Sequence, residues 1–298
     1  MARALAIVNP AAGGGTTRAD VDALLELLRE RFETIDVVET GLEHPTATEL
    51  GERAVTDGYD VAIAAGGDGT VGDVARALVG TDVTLGILPF GTFMNIARAL
   101  DIPRDAPRGA AEIIARGAVR PIDVGEVGGR SFFEAAGIGL DADMFTAGRA
   151  IQRGDRGLAV AALGALLRRR SARVRVDVDG RPHTHRVLQA IVCNGPWYGW
   201  GFSVAPDATI DDGLLDVVIF GDSRWQVFRE VIRAAVAHDR PAHGRRYRGR
   251  RITLSATVEL AVHADAQLVG NLPQTFSVRP KALKVYATRA TPGSVKDL

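Results

Sequence analysis

Three short glycine-bearing stretches carry the chemistry that stands out in this chain: Asn9-Pro10-Ala11-Ala12-Gly13-Gly14-Gly15, Gly66-Gly67-Asp68-Gly69-Thr70 and Pro89-Phe90-Gly91-Thr92. Glycine lets a backbone turn tightly and come close to an anion, and a helix starting just after such a turn aims unpaired N–H groups and a positive dipole end at it. Asp68 amid the glycines can hold a hard cation such as Mg²⁺, which neutralises phosphate oxygens. Thr70 to Asp73 fits the Ser/Thr-x-x-Asp/Glu capping pattern and predicts a helix start beside Gly69. The competing reading is that all three are plain strand-to-helix turns, which use glycine in any α/β protein.

The only lysines are Lys281, Lys284 and Lys296. A Walker loop needs Gly-Lys-Ser/Thr and a protein kinase needs a strand lysine, so both are excluded. A phosphate site in the first half must use backbone amides, helix N-termini, arginine and metal. Gly137-Ile138-Gly139-Leu140-Asp141-Ala142, with Asp155 downstream, fits a loose dinucleotide pattern but falls where the βαβ rhythm has stopped. No serine sits in a Gly-x-Ser-x-Gly elbow. His183 and His185 alternate on a strand edge, His44 and His263 stand alone, and His238 and His243 lack the cysteine pair of a zinc site. These read as surface histidines.

The elements that must position the loops follow from periodicity. Ala4 to Val8, Thr34 to Val38, Val61 to Ala65 and Thr84 to Leu88 read as strands; Thr16 to Arg31, Pro45 to Thr56 and Val71 to Val79 read as helices. Strands that are apolar without alternation predict a mostly parallel, doubly wound sheet, whose loops gather at the strands' C-terminal edge, where ligands bind. After Pro121 the pattern turns to strands over Arg173 to Val178, Val187 to Cys193, Leu215 to Phe220, Ile252 to Leu260, Thr275 to Val278 and Ala282 to Ala287. Helices are expected only at Asp143 to Arg170 and Trp225 to His238. The expected organisation is an α/β nucleotide-binding domain over 1–120 and a mainly antiparallel, sandwich-like domain over 121–290. A polar tail, 291–298, would pack back on the first domain.

At 298 residues the chain is long enough for two such cores. Its longest apolar run, Leu158 to Leu167, is half of what crosses a bilayer, and the N-terminus lacks a secretory signal. The single Cys193 fits a reducing cytoplasm. Net charge is zero, which argues against nucleic acid as a partner, yet residues 1–120 hold 11 basic against 18 acidic side chains and the remainder 25 against 18. The basic stretches Gly157 to Arg170 and Arg245 to Arg251 would suit an anionic membrane surface, or equally a core helix and a charged strand edge. Trp197, Tyr198 and Trp200 would line a lipid slot or fill the sandwich.

Asn9-Pro10 with Gly13, Gly66-Gly67-Asp68-Gly69-Thr70, Pro89-x-Gly91-Thr92 leading to Ala97-Arg98, and Asp211-Asp212-Gly213-Leu214-Leu215-Asp216 together resemble the diacylglycerol kinase catalytic-domain family, which includes bacterial lipid kinases and sphingosine kinases. Their order and separation match over nearly the whole chain. The resemblance implies ATP held between two domains, with Gly66 to Thr70 on its phosphates, Thr40 and Thr92 nearby and Asn9 at the first loop. It implies a membrane lipid hydroxyl as acceptor, and a structural Mg²⁺ near Asp212 with backbone oxygens around Thr209 and Leu214. Such an enzyme would be cytoplasmic, visiting the inner membrane face transiently, with a homodimer left open. Asp212 on its own reads rather as a turn residue before Gly213.

The sequence departs from the family at its chemistry. The family's late Asp-Gly-Glu, whose glutamate is the general base, reads here as Asp265-Ala266-Gln267. An amide does not take a proton, so Asp265, Asp68 or an unrecognised carboxylate would have to serve. The usual Asn-Glu after Gly69-Thr70-Val71 is Gly72-Asp73, and Met94 replaces an asparagine that is displaced to Asn95. Two functions follow as expectations: a lipid kinase, or a catalytically weakened nucleotide- and lipid-binding relative.

Overall fold

The strands of the first half are runs of Ala, Val, Ile and Leu with nothing polar between them, so they bury on both faces and need helices to cover them. In the computed structural model, which describes residues 2–12, 18–41, 44–139, 171–199, 201–221 and 244–288, they do so. The chain divides into two units, one up to Ile122 that takes back the chain from Lys281 onward, the other Asp123–Pro280.

The first unit runs β1 (Ala2–Val8), α1 (Arg18–Glu26), β2 (Phe32–Glu39), α2 (Ala47–Thr56), β3 (Val61–Gly66), α3 (Asp68–Leu78), β4 (Thr84–Pro89), α4 (Asn95–Ala99) and α5 (Pro107–Arg116). The strands pair in parallel in the order β2-β1-β3-β4. From β1 the chain steps one way to β2 and, from β3, the other way to β4. Right-handed crossovers therefore put α1 and α3 on opposite faces, and the direction reverses between β1 and β3. Helix α2 opens on a complete capping box: the Thr46 hydroxyl accepts from the Glu49 amide, and the Glu49 carboxylate accepts from the Thr46 amide at 2.7 Å. The predicted box at Thr70 to Asp73 is not there. Helix α3 begins at Asp68 with Gly67 as N-cap and no side-chain cap, because the Thr70 hydroxyl is taken by Asn9 and Asp73 pairs with Arg76. Helix α1 also stops at Glu26, short of the predicted Arg31, in a series of turns.

The second unit begins in β5 (Val119–Val127) and continues through β6 (Arg130–Phe132), β7 (Ala135–Ile138), β8 (Ala172–Val178), β9 (Arg181–Val187), β10 (Gln189–Cys193), β11 (Trp197–Tyr198), β12 (Phe202–Ser203), β13 (Leu215–Phe220), β14 (Arg245–Gly249), β15 (Arg251–Ala256), β16 (Ala261–Ala264), β17 (Gln267–Asn271) and β18 (Gln274–Tyr286). One antiparallel sheet has the order β14-β13-β10-β7-β16-β17; facing it, β18, β15, β8 and β9 pair in turn. Between them lies a dry core that includes Phe132, Ala136, Val176, Val192, Val217, Leu254 and Phe276. In β10, Ala190 and Val192 enter this core while Ile191 and Cys193 join Tyr198, Val204 and Phe220 on the outer face, so the strand is buried on both sides. Beyond Pro280, β18 leaves this unit, and Lys284 and Val285 pair in parallel with Thr84 and Leu85 of β4.

Three predicted strands are divided or joined differently. Val187 to Cys193 is the end of β9 and the whole of β10, separated at Leu188, and Thr275 to Val278 with Ala282 to Ala287 is the single strand β18. The helices expected at Asp143 to Arg170 and Trp225 to His238, and the tail, lie outside the described residues.

Candidate functional site

In the first unit the site is built where the sheet's direction reverses. Asn9 follows β1, and its amide N–H bonds to the carbonyl of Ala65 in β3. Its side-chain Nδ2 donates to the Thr70 hydroxyl at 2.9 Å, and its Oδ1 accepts the Ala11 amide at 3.0 Å. The loop after β1 is thus tied to the first turn of α3. The loop after β4 is tied in as well: Phe90 N–H donates to the Gly66 carbonyl, and a Cβ placed on Gly91 would lie 2.7 Å from the Gly67 Cα and 2.7 Å from the Met94 Sδ. Glycine at position 91 allows that approach, whereas a Cβ on Gly67 would meet the Gly91 Cα at an ordinary 3.6 Å. Thr40, at the end of β2, donates its amide to the Val8 carbonyl, and Thr92 is exposed on the third loop. Sequence reasoning therefore placed Asn9, Thr40, Gly66, Gly67, Asp68, Gly69, Thr70 and Thr92 along one edge of the sheet; Gly13 lies outside the described residues.

The middle loop is open where a ligand would enter. Gly69 is exposed with nothing within 4 Å of a Cβ built on it, and Gly67 gives α3 no side-chain cap. An uncapped helix N-terminus leaves donors that a phosphate satisfies. Asp68 faces two ways. Its Oδ2 accepts the Met94 amide at 2.7 Å, which anchors the start of α4, while its Oδ1 is buried without a hydrogen-bond partner among the described residues. Burial pushes its carboxyl above the ordinary range, and the amides of Met94, Asn95 and Ile96 pull the other way. A buried, unpartnered carboxylate oxygen beside an anion cradle fits a cation, and on this observation the residues fit a nucleotide-bound Mg²⁺. Met94 is fully buried in a left-handed conformation (φ 48°), and Asn95 is 2% exposed as the first residue of α4.

In the second unit, the hairpin β16–β17 turns through Asp265 (φ 42°) and Ala266 (φ 64°), a two-residue turn with both central residues left-handed. Asp265 Oδ2 accepts the Phe133 amide at 2.9 Å and Oδ1 the Glu134 amide at 3.1 Å. Both oxygens thus anchor the bend between β6 and β7. Gln267 is exposed at the start of β17.

Asp212 accepts the Leu214 amide on Oδ1 at 3.0 Å and meets Arg248 Nη1 at 3.5 Å with Oδ2. Asp216 pairs with the same guanidinium at 3.0 Å, and Asp207 gives it a carbonyl. Asp216 first, then Asp212 and Asp207, hold Arg248 above the usual guanidinium range. No three His, Cys, Asp or Glu side chains among the described residues are placed to hold an ion. A metal at Asp212, Thr209 and Leu214 would depend on backbone oxygens beside an arginine that already supplies the counter-charge, so these residues fit it poorly.

Residues 3–127 match the diacylglycerol kinase catalytic domain, and residues 135–287 match the YegS C-terminal NAD kinase beta sandwich-like domain. The chain belongs to the diacylglycerol kinase catalytic-domain family. Among its relatives, a Bacillus subtilis protein named diacylglycerol kinase is 28% identical over 284 residues, 93% of each chain. A Mycobacterium tuberculosis protein of the same name is 29% identical over 306 residues, covering 95% of this chain and 94% of that one. A crystal structure of a diacylglycerol kinase from Bacillus anthracis strain Sterne superposes with a TM-score of 0.75 at 22% identity over 97% of each chain and shares the fold.

Other candidates for chemistry resolve against that family background. Gly137 and Gly139 flank β7's end in an antiparallel sheet, between β10 and β16, which removes the parallel strand-turn-helix a dinucleotide fingerprint requires. Arg245 to Arg251 is strand β14, at the edge of its sheet, and the start of β15, with Arg246 on Asp207 and Arg248 on Asp216. His183 stacks on Tyr247 and His185 Nε2 lies 3.0 Å from the Tyr247 hydroxyl; burial, Arg245 and His183 keep His185 below its usual range. Tyr198 fills the outer core, while Trp200, Asp155, His238 and His243 lie outside the described residues. Motif reading passed over Glu134 and Asn194, whose backbones meet at the Asp265 corner.

Proposed function

We propose that this protein is an ATP-dependent kinase that moves the γ-phosphoryl group to the hydroxyl of a diacylglycerol-like lipid. The observation that carries the reading is the uncapped N-terminus of α3, set at the reversal point of the sheet and tied to the loops on both sides through Asn9–Thr70 and Gly67–Gly91. Backbone amides there receive phosphate without any lysine. Asp68, through Oδ1, is the residue that would hold Mg²⁺, which supplies neutralisation of the phosphate oxygens when it arrives with the nucleotide. The lipid acceptor rests on relatives named diacylglycerol kinase. A lipid acceptor would be met at the inner membrane surface by a protein working from the cytoplasm; no helix among the described residues is long and apolar enough to cross a membrane.

Gln267 favours a second reading, a nucleotide- and lipid-binding relative with little turnover. Purified protein with labelled ATP, Mg²⁺ and mixed micelles of several lipids separates the two. Label in the lipid, lost in Asp68→Ala, supports the kinase. ATP that raises the melting temperature while no lipid in the panel is labelled supports the binding protein.

A further inference from the structure

Residues 121–298 hold 25 basic against 18 acidic side chains, and the second unit treats its arginines in two ways. On β14, Arg246 is held by Asp207, and Arg248 by Asp212 and Asp216. The opposite sheet differs. Val174, Val176 and Val178 of β8 and Ile252 and Leu254 of β15 enter the core, so strand alternation sends Arg173, Arg175, Asp177, Arg251, Thr253 and Ser255 to the outer face. Residues directly opposite in an antiparallel pair share a face, and Arg186, Thr184 and Pro182 of β9, opposite Arg173, Arg175 and Asp177, therefore join them.

Arg173, Arg175, Arg186 and Arg251 are all exposed on this face. They share it with a single carboxylate, Asp177, whose Oδ1 accepts the Gly180 amide at 2.8 Å. Among the described residues the guanidinium groups of Arg173, Arg175 and Arg251 have no hydrogen-bond or ion-pair partner. Arg186 donates to the Ser171 hydroxyl from Nε and Nη2 and stands directly across from Arg173, a like-charge pair that destabilises a sheet. Water covers an ordinary polar sheet face, but a face that keeps such a pair beside guanidinium groups lacking counter-charges is complementary to an anionic partner. At about 3.3 Å per residue along a strand and about 4.8 Å between strands, these arginines extend over roughly 20 Å. They are too widely spaced to close on one phosphate and match a plane of head groups instead. The zero net charge and the lack of an aromatic side chain on this face among the described residues disfavour nucleic acid.

We propose that the outer face of β15, β8 and β9 is the surface by which the protein rests on an anionic lipid bilayer, through Arg173, Arg175, Arg186 and Arg251; this rests on the kinase reading above and names the face by which such an enzyme meets the membrane that holds its acceptor. No large apolar side chain lies on it among the described residues, so the contact is electrostatic, without insertion, and weakens with salt.

The test is co-sedimentation of the intact chain with vesicles of phosphatidylcholine, alone or mixed with phosphatidylglycerol, without nucleotide or diacylglycerol. Wild type is expected to bind the anionic vesicles at least about tenfold more tightly than the neutral ones, and to release them as salt rises from about 0.1 M to about 1 M. Each basic residue near the surface contributes about fivefold, so Arg173→Gln, Arg175→Gln and Arg251→Gln combined are expected to weaken binding roughly 100-fold, and the same three changed to Lys to stay within about threefold of wild type. Arg53→Gln, Arg104→Gln and Arg108→Gln combined, which remove as much charge from the first unit where each arginine has a carboxylate neighbour, are expected to change binding less than about twofold. If the triple Gln variant does not fold, Arg175→Gln alone substitutes, with a loss of about fivefold. Equal binding to both vesicles, wild-type binding by the Gln variant, or a loss as large in the Lys or first-unit variant overturns the assignment. A DNA duplex bound more tightly than the anionic vesicles, and lost in the Gln variant, overturns it in favour of nucleic acid. A wild-type protein that labels lipid yet ignores anionic vesicles overturns this docking face alone, whereas vesicle binding without any labelled lipid overturns the kinase reading alone.

Discussion

Gly91→Ala and Gly69→Ala differ by one methyl group in neighbouring loops, and the structure gives them opposite effects on stability. A Cβ at position 91 lands 2.7 Å from the Gly67 Cα and 2.7 Å from the Met94 Sδ. Comfortable carbon contacts lie at about 3.5–4.0 Å, so the overlap is roughly 1 Å. The Met94 side chain can give way, but Gly67 is backbone, and relief requires the second and third loops to separate. Overpacking of this kind costs about 1–3 kcal/mol, which lowers the melting temperature by roughly 2–4 °C per kcal/mol in a unit of this size. At position 69, inside α3, nothing lies within 4 Å and alanine is the better helix former by about 0.5–1 kcal/mol. Gly69→Ala therefore raises the melting temperature while placing a methyl group where phosphate would approach. Both variants should weaken ATP binding at least tenfold by calorimetry, one with a destabilised fold and one with a stabilised fold. A Gly91→Ala protein that melts like wild type refutes the loop contact, and a Gly69→Ala protein that binds ATP normally refutes the cradle.

Three further outcomes follow from the geometry. Ala266 holds φ 64°, a conformation that costs a residue with a Cβ about 1–2 kcal/mol, so Ala266→Gly should raise the unfolding free energy from guanidinium titrations by about 1 kcal/mol. Burial raises the folded pKa of Asp68 above 3.8, so the folded state binds the proton more tightly than the unfolded chain. Stability from this group is then greatest below 3.8 and declines as pH rises through the folded value. Asp68→Asn should therefore melt above wild type at pH 7, with the gap closing in acid; an Asn variant that melts lower at pH 7 contradicts the burial argument. Because Arg248 already pairs with Asp212 and Asp216, EDTA should leave the melting temperature of the nucleotide-free protein within about 1 °C, whereas Arg248→Met should lower it by several degrees.

Much of the first unit can be read from its residues because its strands are continuous apolar runs and its helices repeat with a 3.6 period. Where that reading fails, distant partners decide. Thr70 has the sequence of an N-cap, yet its hydroxyl bonds Asn9, 61 residues away, and the helix starts at Asp68 instead. Strand β14 alternates arginines that look like a membrane patch, and only the fold brings Asp207 and Asp216 to them. Asp265 matches the family's motif, but the sequence gives no sign that its oxygens hold the amides of Phe133 and Glu134 more than 130 residues earlier. The convergence of the glycine-bearing loops of the first unit could be read because each follows an apolar strand of one parallel sheet. Asn194 carries no such sign, because what marks it is a buried amide oxygen without a partner among the described residues, which has no sequence pattern.

On the proposed function, the loops after β1, β3 and β4 receive the phosphates of a nucleotide through their own amides. Amide hydrogen exchange with and without ATP and Mg²⁺ tests it directly. Protection gained at Gly67 to Thr70 and at Gly91 and Thr92, with the β16–β17 hairpin unchanged, is the expected result. ATP that binds while those amides exchange as fast as before contradicts the account.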